Sequence, residues 1–245
     1  MTDTGAGVGQ RVRVVSYNVH SCTGTDGVFS PIRIAEVLAP LDADFVALQE
    51  VEDREYDGKT VSEFLANSLG LPEAGRTTHK RAGIDYGNFL LSRAPPLETT
   101  CHDLAFSQRE PRGAIEAKFA IGDRTLRLVA THFGLSMRER RSQLQTIQPF
   151  LENSAADLTI LCADFNEWLP FSRVHSRLAR LLGAAPAVRT FPSRSPVLSL
   201  DRVYASPAET LVSSTAVTTV DARAASDHLP VVADFDLARL DSVLQ

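Results

Sequence analysis

Five separate stretches of this 245-residue chain place side chains that can do chemistry at the ends of apolar runs. Asn18 and His20 follow RVRVVSY, Glu50 ends DFVALQE, and His132 ends the run that starts at Thr125. Asp164 and Asn166 follow LTILCA, and Asp227-His228 precede LPVV. Carboxylates together with an Asn carbonyl suit a hard cation such as Mg²⁺, which takes one or two protein carboxylates and completes its shell with water and substrate phosphate. Two histidines beside such an ion can bond phosphoryl oxygens or move protons near neutral pH. The chemistry this points to is metal-assisted hydrolysis of a phosphate ester.

Each group taken alone has a plainer reading. Asn18 would cap a turn. Glu50, with Glu52 and Asp53 behind it, would belong to a solvated acidic turn, and His132 or His228 would be a satisfied structural histidine. Asp164-Phe165-Asn166 would be an Asx-type turn, and Asp227 before Pro230 ordinary loop chemistry. Their joint occurrence is what argues for a site, because strand ends at one sheet rim are where rigid elements can hold several groups in register.

The elements that must position them follow from pattern. Arg11–Asn18, Asp44–Glu50, Tyr86–Ser92, Gly113–Ala120, Thr125–His132, Leu200–Tyr204, Leu211–Thr219 and Leu229–Phe235 read as strands. Leu158–Ala163 is apolar throughout, as expected of a central strand covered on both sides. Ser30-Pro31 opens a helix, Thr60 and Glu63 form a capping box closed by Gly70, and Ser136 and Glu139 form another. Met137, Leu144, Ile147 and Leu151 then share one helical face, and a further helix covers about Phe171–Leu182. Strands and helices interleave to the end without a repeat or a linker, so the expectation is one α/β domain spanning 1–245, with 1–10 as a flexible N-terminus. The Pro/Ser stretch at Phe191–Val197 reads as a loop within it.

Bulk properties narrow the class. A hydrophobic fraction of 44% and a charged fraction of 22% are ordinary for a globular chain. The three cysteines show no C-x-x-C spacing, which argues against a disulfide framework or structural zinc and for a reducing compartment. No signal peptide and no transmembrane run is visible, so the expected location is cytoplasmic. A net charge of −5 disfavours nucleic acid held by bulk electrostatics, yet it permits an anionic substrate at a cation site.

In chain order, YNVH (Tyr17–His20), LQEVE (Leu48–Glu52), YGNFLLSRAP (Tyr86–Pro95), EPRGA (Glu110–Ala114), THFG (Thr131–Gly134), ADFNEW (Ala163–Trp168), SLDRVY (Ser199–Tyr204) and SDHLPV (Ser226–Val231) resemble the endonuclease/exonuclease/phosphatase superfamily. The resemblance implies a deoxyribonuclease I-like α+β four-layer sandwich, in which two packed mixed β-sheets are flanked by helices. It implies Asn18 and Glu50 as the metal-site pair, with Glu50 the direct ligand, and Asp227 either contacting metal or orienting His228. Asp164 resembles the residue that orients or deprotonates the attacking water, with Asn166 holding phosphate. His228 is similar to the catalytic histidine and His132 to the second one, while Asp201 resembles the carboxylate that fixes a neighbouring histidine. Arg112 stands at a phosphate-contacting position, where its guanidinium can fork onto two oxygens. His20 and Trp168 complete the expected substrate contacts. The implied cofactor is Mg²⁺, with Mn²⁺ or Ca²⁺ as substitutes.

The substrate class is set by departures within the motifs. His20 stands where the family's abasic-site endonucleases carry an acid. Asn166-Glu167-Trp168 lacks the aromatic-then-arginine continuation of inositol polyphosphate 5-phosphatases, and Asp-Phe-Asn resembles the triplet of sphingomyelinase-type phosphodiesterases. The first reading is therefore hydrolysis of a small or lipid-borne phosphodiester by in-line attack of water. A metal-dependent nuclease acting on DNA or RNA is the second, and a non-catalytic binding module the third. Among lesser features, Arg138–Arg141 reads as a solvated helix face, Trp168 and Phe171 as core or pocket lining, and Gly24–Gly27 as an ordinary turn. Cys22 lacks the arginine that a cysteine-phosphatase loop would place at Val28.

Overall fold

The computed structural model describes residues 11–152, 155–169 and 171–243. The expected flexible stretch 1–10 lies outside them. In chain order the elements begin β1 (Arg11–Asn18), α1 (Pro31–Leu38), β2 (Phe45–Glu52), β3 (Glu55–Tyr56), β4 (Lys59–Thr60) and α2 (Val61–Leu69). They continue β5 (Glu73–Arg81), β6 (Ile84–Ser92), β7 (Glu98–Asp103), β8 (Gly113–Ile121), β9 (Arg124–His132), α3 (Met137–Glu152) and β10 (Leu158–Asp164). The last are α4 (Arg173–Leu182), β11 (Asp201–Ser206), β12 (Leu211–Ala216), α5 (Val220–Ala225), β13 (Val231–Asp236) and α6 (Ala238–Val243).

One sheet has six strands in the order β12-β13-β1-β2-β6-β5, and the other five in the order β11-β10-β9-β8-β7. Both are mixed: β1 pairs parallel with β2, and β9 with β10, among antiparallel neighbours. Side chains alternate faces along a strand, so each sheet has an inner and an outer row. The inner rows meet in a dry core: Val12 and Val14 of β1, Leu126 and Leu128 of β9, Leu158 and Ile160 of β10, and Val203 and Ala205 of β11. The outer row of the six-stranded sheet, Val15, Tyr17, Val46 and Leu48, is covered by Ile34 and Val37 of α1 and Leu65 of α2. Val129 and Leu161 of the other sheet lie under Ile147 of α3 and Leu178 of α4. The result is the four-layer, deoxyribonuclease I-like sandwich.

The helix starts follow their signals. Thr60 and Glu63 make the reciprocal capping box of α2, which ends at Gly70 in the left-handed region (φ 64°). Ser136 and Glu139 make the same exchange at α3. Three details differ from the sequence pattern. β5 and β7 are edge strands rich in Thr, His and charged residues, and their half-solvated faces carry no apolar run to betray them. The strand expected over Leu211–Thr219 stops at Ala216, because Thr219 accepts a hydrogen bond from Ala222 N–H and starts α5. Finally, Arg140 is buried and not on a solvated face.

Phe45 and Phe119 meet edge-to-face between the sheets, ring centroids 4.7 Å apart, and both are fully buried. Phe119→Ala should lower the free energy of unfolding by about 3–5 kcal/mol in a urea titration. A loss below about 1 kcal/mol would mean that the two sheets do not pack through this pair.

Candidate active site

The rim residues are the continuation of the inner rows. In β1 the row Val12, Val14, Ser16 ends on Asn18, in β9 Leu126, Leu128, Ala130 ends on His132, and in β10 Leu158, Ile160, Cys162 ends on Asp164. In antiparallel β11 the same row begins with Asp201. Asp164 is the Cα partner of both His132 and Asp201, so three chemically active side chains stand side by side across adjacent strands.

The two sheets are joined at this rim by Asn18. Its side-chain N–H₂ donates to Glu50 Oε1 and to Asp164 Oδ2, each at 3.0 Å, while its carbonyl oxygen accepts from His20 N–H. In this geometry Asn18 reaches the pair as a hydrogen-bond donor and not as an oxygen ligand. Glu50 arrives by a local distortion. The β2–β6 register shifts between Leu48 and Val51, and Glu50 adopts a left-handed φ of 57°. Strict alternation would have sent Glu50 outward with Leu48; the bulge re-aims it to the inter-sheet rim, at a backbone cost of order 1–3 kcal/mol.

Each histidine has a defined partner. His228 Nδ1 lies 2.8 Å from Asp201 Oδ2, and its Nε2 lies 3.6 Å from Asp164 Oδ2. Thr190 O–H donates to the same Asp201 oxygen at 2.5 Å, and the Phe191 ring packs 4.9 Å from the imidazole. Burial opposes a charge on His228, but Asp201 and Asp164 outweigh it and raise the imidazole to about 10. His132 is its opposite: burial, then the charges of Arg112 and His228, hold it well below the ordinary histidine range. Arg112 Nη1 lies 3.1 Å from His132 Nδ1, and the Asn166 amide nitrogen, also a donor, lies 2.9 Å from its Nε2. That Nε2 faces Asp164 Oδ2 at 3.4 Å and Glu50 Oε1 at 3.8 Å.

Asn166 donates its backbone N–H to Asp164 Oδ1 and its amide N–H to Phe133 O, with the amide 2.9 Å from His132 Nε2. It too takes a left-handed φ, 50°. Burial, reinforced by Asp201 and opposed by His228, lifts Asp164 to about 6. A carboxylate held up in this way, beside a second one, is what a divalent cation would relieve. Ligand atoms of Glu50, His132 and Asp164 lie within 4.8 Å of one another, as do those of Asp164, Asp201 and His228. Glu50 and Asp164 supply the oxygen donors of the first group. The residues fit a hard cation.

Other expected residues sit further out. Asp227 turns toward solvent, 3.9 Å from His20 Nδ1, so the task of orienting His228 falls to Asp201. His20 is half exposed and leans on Thr23 O. Trp168 is half exposed over Arg140 and shares none of the cluster's polar contacts. Phe171 is exposed, and neither aromatic packs in the core. Cys22 is buried with its thiol pushed up to about 12 by burial, unsuited to nucleophilic attack. Thr190, Phe191 and Ser226, whose hydroxyl donates to Asn18 O, escaped the sequence reading because loops deliver them.

Two packed sheets that close on a carboxylate–imidazole–amide cluster at one rim define a hydrolytic site of the phosphoesterase type. The sequence model of the Endonuclease/Exonuclease/phosphatase family matches residues 15–228. The chain is 26% identical to the uncharacterized protein YbhP of Escherichia coli K12, over 92% of this chain and 96% of that one. Solved structures of endonuclease/exonuclease/phosphatase proteins share the fold. The one from Beutenbergia cavernae has a TM-score of 0.71 and 22% identity over 93% of this chain and 72% of that one. The one from Bacteroides vulgatus has a TM-score of 0.72 and 19% identity over 93% and 99%. The chain belongs to the endonuclease/exonuclease/phosphatase family, and it is a hydrolase acting on phosphoric ester bonds.

The Asp201–His228 pair can be tested by titration. Asp201→Asn should make His228 titrate about 1–3 pH units lower in an NMR pH series recorded with chelator present. Because the folded value is raised, the stability this pair contributes is full below about pH 6.5 and is lost as pH rises through about 10. An unmoved His228 resonance would remove Asp201 as its partner.

Proposed function

We propose that this protein is a divalent-metal-dependent phosphodiesterase acting on a small or lipid-borne phosphodiester, working as one domain with water as the nucleophile. The observation that carries the reading is Asp164, held in place by Asn18 and Asn166 and facing one neutral and one charged histidine. In-line displacement at phosphorus asks little covalent work of a protein, so positioning and charge neutralisation dominate.

Glu50 would hold the cation, Mg²⁺, for which Mn²⁺ or Ca²⁺ could substitute. When bound, the cation polarises a phosphoryl oxygen and offsets developing charge. Asn18 keeps Glu50 and Asp164 within reach of one another. Asp164 orients the attacking water and accepts its proton. His132, Asn166 and Arg112 bond the non-bridging oxygens, with burial and then the Arg112 charge keeping His132 neutral. His228, kept protonated by Asp201, gives its Nε2 proton to the departing alkoxide. The free thiols of Cys22, Cys101 and Cys162 fit a cytoplasmic setting. No helix of the described residues is long and apolar enough to cross a membrane. The net charge of −5 works against a long nucleic-acid track and favours a compact ester over a nuclease role.

Hydrolysis of an aryl phosphodiester should require Mg²⁺ or Mn²⁺ and stop with EDTA; equal rates with and without chelator would sink the proposal. Asp164→Ala and His228→Ala should each lower kcat by about 10²–10⁴-fold with the fold intact by circular dichroism. Near-native turnover in either would reject its role. Faster cleavage of DNA than of any small or lipid diester, at a salt-sensitive rate, would move the assignment to nuclease.

A further inference from the structure

Beyond the catalytic cluster, five large apolar side chains stand exposed on the two segments that continue from it, the loop into the start of α3 and the loop before α4. Leu135 and Met137 follow His132, and Trp168, Leu169 and Phe171 follow Asn166. Leu135 is 71% exposed and Phe171 94%, values that solvated core residues do not reach. The loops are locked together. Arg140 is buried and pairs with Glu167 at 3.2 Å, donates to Leu135 O at 2.6 Å, and lies under the Trp168 ring at 5.5 Å. Arg140 therefore ties the Leu135 backbone and the Trp168 ring to one point between the two segments.

Beside the patch, the outer faces of α3 and α4 enclose a groove of about 450 Å³ lined by Phe171, Arg141, Arg173, Arg177 and Arg180. Arg138, Arg141, Arg173 and Arg180 make no ion pair among the described residues, whereas Arg177 is neutralised by Glu152. In a chain of net charge −5 this is a concentrated cationic region next to exposed hydrocarbon.

The geometry points to a docking face for an anionic phospholipid bilayer. Aromatic and aliphatic side chains enter the headgroup boundary while flanking arginines meet the negative surface potential. A single-stranded nucleic acid would also use Arg and aromatic rings, but stacking has no use for Leu135, Met137 and Leu169, which favour hydrocarbon. The face begins two residues beyond Asn166 and three beyond His132, so docking would bring lipid headgroups to the catalytic rim. The inference deepens the lipid-borne reading of the substrate and rests on it for its purpose.

Trp168 is the chain's single tryptophan and therefore reports on the patch without labelling. With the full chain, phosphatidylglycerol vesicles should shift its emission to the blue and co-sediment the protein, and pure phosphatidylcholine vesicles should do so far less. Leu135→Ser combined with Phe171→Ser, and separately Arg141→Glu combined with Arg173→Glu, should each weaken partition to phosphatidylglycerol by about tenfold or more. Hydrolysis of a soluble aryl diester should be unchanged in both. Wild-type protein that hydrolyses the soluble diester but ignores the vesicles overturns the docking face alone. Vesicle binding that survives both double variants overturns it too, as does quenching of Trp168 by single-stranded DNA in place of a vesicle response. Vesicle binding without hydrolysis of any diester would leave the face standing and remove the proposed activity.

Discussion

The site depends on one constraint: the side chain that continues an inner β-row past the end of the dry core must be polar, and it must face its counterpart from the other sheet. Asn18 and Asp164 occupy those positions, and the 3.0 Å hydrogen bond between them crosses from sheet to sheet. Both are essentially excluded from solvent. A buried carboxylate without donors would be costly, so Asn18 and the Asn166 backbone N–H stabilise the charge that the chemistry needs. The same Asn18 amide reaches Glu50, so a single side chain fixes the separation of the two carboxylates.

From that constraint the charge pattern follows. His132 and His228 are both buried within reach of Asp164 Oδ2, yet they are driven in opposite directions. Their second partners decide the matter. Burial keeps His132 neutral and the guanidinium on its Nδ1 adds to that, while a carboxylate on Nδ1 overrides burial and keeps His228 charged. Pairs of titratable groups pushed apart by their surroundings are how one pocket can supply a neutral imidazole and a proton donor at the same pH. The division between the two rings thus lies with the groups on their Nδ1 atoms, Arg112 and Asp201.

Much of this was legible before any coordinates. Period-two alternation places Asn18, His132 and Asp164 on the inner faces of their strands, and the ordered motifs supplied the architecture. What stayed hidden has physical causes. Alternation would send Glu50 to the wrong face, and only a bulge that no local pattern marks returns it to the rim. β5 and β7 are polar because edge strands face water on one side, so an apolar template misses them. Asp201 was legible as a carboxylate that fixes a histidine, but with Asp227 adjacent to His228 the sequence did not say that His228, 27 residues away, is the one it holds. Arg138–Arg141 reads as solvated because the acid that buries Arg140 also lies 27 residues off, at Glu167.

That buried Arg140–Glu167 pair bears on how the rim is built. Two desolvated charges seldom add net stability compared with an apolar pair, so their worth lies in what they hold. Arg140 engages the Gly134–Leu135 carbonyls on one loop and Glu167 on the other, and Gly134 N–H is fixed by Gln143. His175, kept neutral by burial with the nearby Arg202 charge opposing protonation, anchors the Glu167 carbonyl and the Tyr204 hydroxyl from below. Loops that carry exposed Leu135 and Trp168 would otherwise fold back to hide them, because burying apolar surface is favourable wherever the backbone is free to move. Cross-linking the loops through charge and backbone removes that freedom. It keeps His132 and Asn166 in register at the rim and the apolar groups directed outward.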